Sequence, residues 1–531
     1  MATVSPLYQG SRLFLSASGK TGISLDQFNF VVAQFTALLF GFLLRYWLPH
    51  SAGKPQWRSV YCLVTGLALL WFVIGWSLWV VLVQVTVCYT MMKFFHHKFM
   101  PLVVFFFALG YMLVMYVLRN QQNFDDLCYD ATYPLMITTQ KVTTLAFSIG
   151  DWKALQKGKK MQEERVKWAV SEVPSVLEFL AFMLSFQGIL AGPFCHYSMF
   201  RAFIEGNTKE RLEKSKNAVE YLDDPSSVMQ AVVTKILAVF LWIFVTACVK
   251  PHFPDYTNVD PEFIANNNFV VRLGYLYISL FLHRSKYYVS WILADAVYNS
   301  SGLGYAGKDE KGKPRWTAMS NVFVWKIETA TSLKVYLDNW NILTTHWLRH
   351  VCYMRAPFLN TLLTFVLSAL WHGLFIGYYI TFVSAAFFVE AGRKIRQNIR
   401  PLFQTSKASR FVYEVLTFLG TQFGLSFLVL SFVILHWEPS IRFHSSFYWF
   451  YHVMVGLVLI TLPSRKSSRP EPATSTVDNN HEKLPQEPSK EKLAQEPSKE
   501  KSPQEPSKEA EDGIGDGERP RKRDVMFVQK S

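Results

Sequence analysis

Apolar residues in this chain gather into runs too long and too unbroken for a water-soluble fold. They recur at Phe28–Leu48, Val60–Val87, Leu102–Leu118, Pro134–Ile149, Val176–Pro193, Val232–Val249, Phe269–Leu282, Val289–Val297, Leu359–Val389, Phe411–Leu435 and Phe447–Leu462. Roughly 20 apolar residues carry a helix across a bilayer core. Several runs therefore fit one crossing, Leu359–Val389 is one crossing continuing into a second, and Val289–Val297 falls short. The pattern predicts an all-α polytopic membrane protein of about ten or eleven transmembrane helices, short and re-entrant segments leaving the count open by about two.

Composition agrees with the pattern and adds a boundary. Half of the 531 residues are apolar, 16% are aromatic and only 18% are charged, against about 25% charged in soluble chains. The net charge of +14 is unevenly placed. Residues 464–531 hold 14 basic and 14 acidic side chains, so the whole excess belongs to residues 1–463. That tail repeats LPQEPSKEK from Leu484, LAQEPSKEK from Leu493 and SPQEPSKEA from Ser502. A segment of this composition buries too little apolar surface to offset chain entropy and is expected to be disordered. We therefore divide the chain into an N-terminal segment (1–24), a membrane domain (25–463) and a tail (464–531). No cleaved signal peptide is expected, since the start lacks a basic stretch before a compact apolar core. The six cysteines are scattered, without metal-like spacing, and read as small buried hydrophobes. Basic connecting segments at Lys153–Lys167, Lys209–Lys216, Lys308–Arg315 and Arg393–Arg400 are expected on the cytosolic side.

Candidate chemistry lies where polar residues interrupt the apolar pattern. His372 falls inside the Leu359–Val389 run, and ionisable groups at membrane depth usually face a protein interior or a water-filled cavity. It leads as a functional candidate, though a histidine satisfying a carbonyl between packed helices would look the same in sequence. The stretch before it, from Asn299 to Tyr353, is too amphipathic to span. Asp338 is placed to cap a helix beginning at the following Asn-Trp-Asn, with Asn341 on one face and Trp340 and Trp347 on another. Gln140, Lys141, Glu178 and Asp295 are each costly in lipid and are expected to face a common interior. His283, Arg284 and Lys286 look like the end of a span, where snorkelling competes with binding of a head-group or coenzyme A phosphate. No GxGxxG, Walker or HExxH pattern occurs, so nucleotide or zinc chemistry has nothing to rest on; no metal, cofactor or nucleic-acid partner is expected.

These residues carry a family resemblance. DNWNILTTHWLRHVCY followed by SALWHGLFIGYY, with 31 positions from Asn341 to His372, resembles the signature of the membrane-bound O-acyltransferases. TTQKVTTLA at Thr138, VPSVLEFLAF at Val173, GILAGPF at Gly188, KYYVSWILADAVYN at Lys286 and GLGYAGKDEKGKPRWTAMSN at Gly302 resemble its lysophospholipid branch, nearest the lysophosphatidylethanolamine and lysophosphatidylserine acyltransferases. One departure is Trp316-Thr317, where the branch commonly has Trp-Asp; either that carboxylate is dispensable or Asp309 or Glu310 replaces it.

The resemblance implies acyl transfer from acyl-CoA, a co-substrate, to the hydroxyl of a lysophospholipid in the endoplasmic reticulum membrane. It maps the two essential polar residues onto His372 and Asn341. Gln140, Lys141, Glu178, Lys286, Tyr287, Trp340 and Trp371 are further candidates for substrate contact. An internal chamber is expected to meet at His372, with apolar walls around Phe365, Leu370 and Phe375. One mouth is expected near Lys308, Lys311, Lys313 and Arg315, and another opening into lipid. Oligomeric state stays open.

Overall fold

The computed structural model describes residues 5, 8–49, 53–122, 128–206 and 225–464. The repeat-bearing tail beyond residue 464 and the basic segment Lys209–Lys216 lie outside the described residues. The helices that frame the site are, in chain order, α1 (Leu25–Trp47), α2 (Pro55–Ile74), α3 (Leu78–Phe94), α4 (Met100–Gln122), α5 (Thr132–Gln156), α6 (Val176–Leu184), α7 (Pro225–Phe244), α8 (Phe269–Ser301), α9 (Ile342–Leu348), α10 (Asn360–His372), α11 (Ile376–Asn398), α12 (Lys407–Ile434), α13 (Trp437–Ser446) and α14 (Phe450–Thr461). No strand occurs among the described residues; the only pairings of extended backbone are two isolated bridges. The all-α polytopic architecture is thus as the apolar runs predict.

Five segments among the described residues are long and apolar enough to cross a membrane by themselves, and the bent pair α13–α14 makes a sixth. Helices nearer the interior carry polar side chains and fall short of that apolar standard. α5 illustrates why. From Ile137 to Ile149 every residue is buried, yet the stretch includes Thr138, Thr139, Gln140, Lys141, Thr143, Thr144 and Ser148. A helix enclosed by protein on all sides need not be lipid-soluble, provided its polar groups are paired.

Local chemistry sets the element ends. Asn268 caps α8 by accepting from the Val271 amide at 3.0 Å, and Gly302, at φ 96°, closes it in the left-handed region. Between them α8 runs unbroken for 33 residues, so His283, Arg284 and Lys286 do not mark a span end. Their partners explain the continuity. Arg284 forks onto Glu328 at 2.9 and 2.6 Å, and His283 Nδ1 lies 2.7 Å from Asp255. Between α2 and α3 the chain bends at Gly75, where φ is 53° and an added Cβ would stand 1.9 Å from the Gln9 carbonyl oxygen.

Lipid tails are as apolar as leucine, so helices in a bilayer associate through close packing rather than through burial from water. Gly66 of α2 shows this: a Cβ there would meet the Leu184 carbonyl oxygen at the end of α6 at 1.7 Å. The largest core cluster joins α2 to α6 and reaches Trp347 and Trp371, the neighbour of His372.

Candidate active site

α5 serves as the ruler against which the site is measured. Gln140 Nε2 donates to Thr344 Oγ1 at 3.0 Å, and Thr143 Oγ1 accepts from the Trp347 indole at 2.9 Å. The same offset of three residues on both helices makes α9 run alongside α5 in the same direction. One turn back from Thr344, Asn341 therefore stands level with the turn of α5 near Ile137. Trp371, from the other side, donates its indole N–H to the Met136 carbonyl at 3.0 Å. The Trp347 and Trp371 rings lie 5.7 Å apart, so the segments bearing Asn341 and His372 meet against the same helix.

Asn341 occupies the N-cap position of α9 with φ 48° and ψ 49°. The expectation that Asp338 caps this helix is corrected: Asp338 ends the preceding turn and pairs with Lys334. The residue that shapes the start of α9 is Asn321, which spacing did not reveal. Its carbonyl accepts from the Ile342 amide at 3.0 Å and its Oδ1 from the Leu343 amide at 2.9 Å. Its Nδ2 donates to Asn341 Oδ1 at 3.0 Å. With Oδ1 so engaged, the Asn341 amide turns its N–H donors the other way.

His372 closes α10, where Gly373 at φ 134° ends the helix. Two tyrosines tie down the carbonyls on either side: Tyr116 donates to Trp371 O at 3.1 Å and Tyr379 to Gly373 O at 3.2 Å. The imidazole stacks on Phe382 at 5.0 Å and meets the edges of Trp371 and Phe432 at 4.7 and 5.1 Å. No hydrogen bond to its ring nitrogens occurs among the described residues. The side chain keeps some accessible surface.

Tyr133 is 40% exposed, Lys286 is exposed, and Tyr287 and Tyr378 are partly exposed. The ring of Trp340, the residue before Asn341, lies 5.6 Å from Tyr287, 5.0 Å from Trp291 and 5.7 Å from Tyr336.

The remaining candidates are placed elsewhere. Lys141 is buried and donates to the Phe182 and Met183 carbonyls at 2.9 and 3.2 Å, which makes it a clasp on the C-terminal turn of α6. Gln140 serves α9 as described. Glu178 does not face the interior: it forms a capping box with Ser175 at the start of α6, beside a surface pocket of about 180 Å³ shared with Tyr197, Arg201 and Glu205. The short polar-to-apolar switch at Ser175 is a helix start, which needs a carboxylate at its third residue. Asp295 anchors a loop. It pairs with Lys235 at 2.6 Å and accepts from Ser320 at 2.5 Å, while Lys235 donates to the Trp316 carbonyl at 2.8 Å. Thr317 itself is exposed, and Asp309 shapes a hairpin turn by accepting from the Lys311 and Lys313 amides.

His372 offers an imidazole whose ring nitrogens have no hydrogen-bond partner among the described residues, and Asn341 a carboxamide held by Asn321. The sequence model of the membrane-bound O-acyltransferase family matches residues 123–434, which contain both residues, and the chain belongs to that family. It is 37% identical to membrane-bound glycerophospholipid O-acyltransferase 1 of Mus musculus, covering 87% of this chain and 94% of that protein. It is 38% identical to membrane-bound glycerophospholipid O-acyltransferase 2 of Homo sapiens over 92% and 93% of the two chains. Lysophospholipid acyltransferase 6 of Drosophila melanogaster is 33% identical, over 86% of this chain and 64% of that one.

Proposed function

We propose that this multi-pass membrane enzyme is a lysophospholipid O-acyltransferase of phospholipid remodelling, taking the acyl chain from acyl-CoA in the endoplasmic reticulum membrane. Lysophosphatidylethanolamine and lysophosphatidylserine are the favoured acceptors. The observation that supports the reading is that the segments bearing Asn341 and His372 both bond to α5, through Thr344 to Gln140 and through Trp371 to Met136.

In this scheme a neutral His372 nitrogen takes the proton of the lysophospholipid hydroxyl as its oxygen attacks the thioester carbonyl. The tetrahedral oxyanion accepts from the Asn341 amide, whose orientation Asn321 maintains; a donor of this kind contributes about 2.7–4 kcal/mol. Collapse breaks the carbon–sulfur bond, and the imidazolium returns its proton to the departing thiolate. A thioester is already activated, so the scheme calls for no covalent enzyme intermediate and no cofactor. From His372 an apolar row runs outward through Phe382 to Phe365, whose rings lie 6.4 Å apart. That row suits an acyl chain and would keep water from the thioester.

The test is purified enzyme with radiolabelled oleoyl-CoA and a panel of lysophospholipids differing in head group. Label is expected in diacyl phospholipid, fastest with ethanolamine or serine head groups. Label confined to protein, sterol or free fatty acid would overturn the assignment.

A further inference from the structure

Lys250, Arg284 and Lys235, around α8, are each paired with a carboxylate, and Arg272 near its start donates to the Ser446 carbonyl at 3.2 Å. His283 and Lys250 share Asp255, Arg284 holds Glu328, and Lys235 holds Asp295. Lys286 has no ion pair and no side-chain hydrogen bond among the described residues. Its Nζ hangs 5.2 Å from the centre of the Tyr287 ring. The acid that acts on it through space is Asp255, which is already paired with Lys250 and hydrogen-bonded to His283. An ammonium on a membrane helix without a counter-ion is costly, and this one keeps accessible surface that an incoming anion can reach.

Its position leads directly to the reacting groups. The Tyr287 ring lies 5.6 Å from Trp340, the residue before Asn341. On the other side Tyr378 is within electrostatic reach of Tyr287, and its ring is 5.7 Å from that of His372. Two rings, Tyr287 and Tyr378, thus connect Lys286 to His372.

We propose that Lys286 is the counter-charge for the phosphodiester of the lysophospholipid acceptor, so that it selects the acceptor and sets its hydroxyl against His372. The inference rests on the function proposed above. In a lysophospholipid the free glycerol hydroxyl and the phosphate are close neighbours, so a hydroxyl at His372 brings its phosphate into this part of the chamber. The phosphates of coenzyme A stand a full pantetheine arm from the thioester. With the thioester at His372, they belong at the cytosolic mouth. A lysine pairs with phosphate as a point charge and tolerates varied head groups beyond it, which suits one acceptor site for both ethanolamine and serine lipids.

The experiment compares full-length wild type, Lys286→Met, which keeps the apolar stem, and Lys286→Arg, which keeps the charge. Initial rates are measured against 1-oleoyl lysophosphatidylethanolamine and lysophosphatidylserine at saturating oleoyl-CoA, and against oleoyl-CoA at saturating lysolipid. Lys286→Met is expected to lose at least tenfold in kcat/KM for both lysolipids, mainly through KM. Its KM for oleoyl-CoA should stay within twofold, and Lys286→Arg should recover most of the loss. A rise in KM for oleoyl-CoA alone would assign the cation to coenzyme A. A fall in kcat with both KM values unchanged would make the lysine structural, and unchanged kinetics would remove it from the site. Each of these results overturns the proposal. Should Lys286→Met fail to fold, Lys286→Gln carries the same comparison. A wild type that acylates neither lysolipid refutes the function proposed above rather than the role of Lys286 within it.

Discussion

Asn321 touches no reacting atom in the proposed scheme, so its contribution should pass entirely through Asn341. Replacing Asn341 by alanine removes the oxyanion donor, at a cost of about 2.7–4 kcal/mol, or about 100- to 1000-fold in kcat. Replacing Asn321 by alanine leaves that donor in place but frees its carboxamide to rotate. The lost interaction is one hydrogen bond of 3.0 Å, with a net value of about 1 kcal/mol, which predicts roughly a fivefold fall in kcat. The same substitution strands the Leu343 amide, buried with its partner Asn321 Oδ1, and should cost about 1–3 kcal/mol of stability. The two effects are separated by measuring turnover per folded molecule, with the folded fraction taken from size exclusion and thermal unfolding of the same preparation. The deciding quantity is the double variant. If Asn321 acts through Asn341, the double variant should have the kcat of Asn341→Ala alone, because nothing remains to be oriented. Independent, multiplying losses would refute the orienting role and place Asn321 in contact with substrate or in the fold alone.

Sequence reading succeeded where the signal is local and failed where it depends on a distant partner. Hydropathy was enough for an all-α membrane protein, and His372 was conspicuous because a lone imidazole in an apolar run is expensive wherever it points. Asn341 came from the resemblance, but its reason for being oriented did not: Asn321 lies 20 residues upstream, and nothing in the spacing announces their pairing. α8 was divided in two for the same reason. The polar side chains His283, Arg284 and Lys286 imitate a span end until Arg284 is seen to pair with Glu328 and His283 to bond Asp255. Glu178 is a different kind of miss. Ser175, Val176, Leu177 and Glu178 form the Ser-x-x-Glu pattern of a capping box ahead of an apolar run, so the signal was legible and was outweighed by the surrounding hydrophobicity. That the segments bearing Asn341 and His372 both bond to α5 was out of reach, since the polar residues of that helix give no sequence clue to their partners.

Three further outcomes are expected. His372→Ala should lower turnover by about 100- to 10,000-fold while thermal stability changes little, since its ring nitrogens hold nothing else in place; near-wild-type turnover of purified variant would remove it as the base. Gly66→Ala should destabilise the protein, because its Cβ would stand 1.7 Å from the Leu184 carbonyl, and overpacking of this kind costs about 1–3 kcal/mol; an unchanged unfolding temperature would mean that α2 and α6 part easily. The last concerns the hairpin after α8. Trp316 is moored at its base by Lys235 and by its indole N–H to Ser227 at 2.9 Å, and the Asp309 turn fixes its tip, so Lys311 and Lys313 project from a shaped loop rather than a random one. Fixed exposed charges attract a polyanion over about a Debye length, about 8 Å at physiological ionic strength and about 3 Å at 1 M salt. Lys311→Glu with Lys313→Glu should therefore raise the KM for acyl-CoA at low salt, leave kcat and the KM for lysolipid unchanged, and lose its effect as salt is added. A KM for acyl-CoA that stays constant across the salt series would show that these charges serve membrane topology and that coenzyme A enters elsewhere.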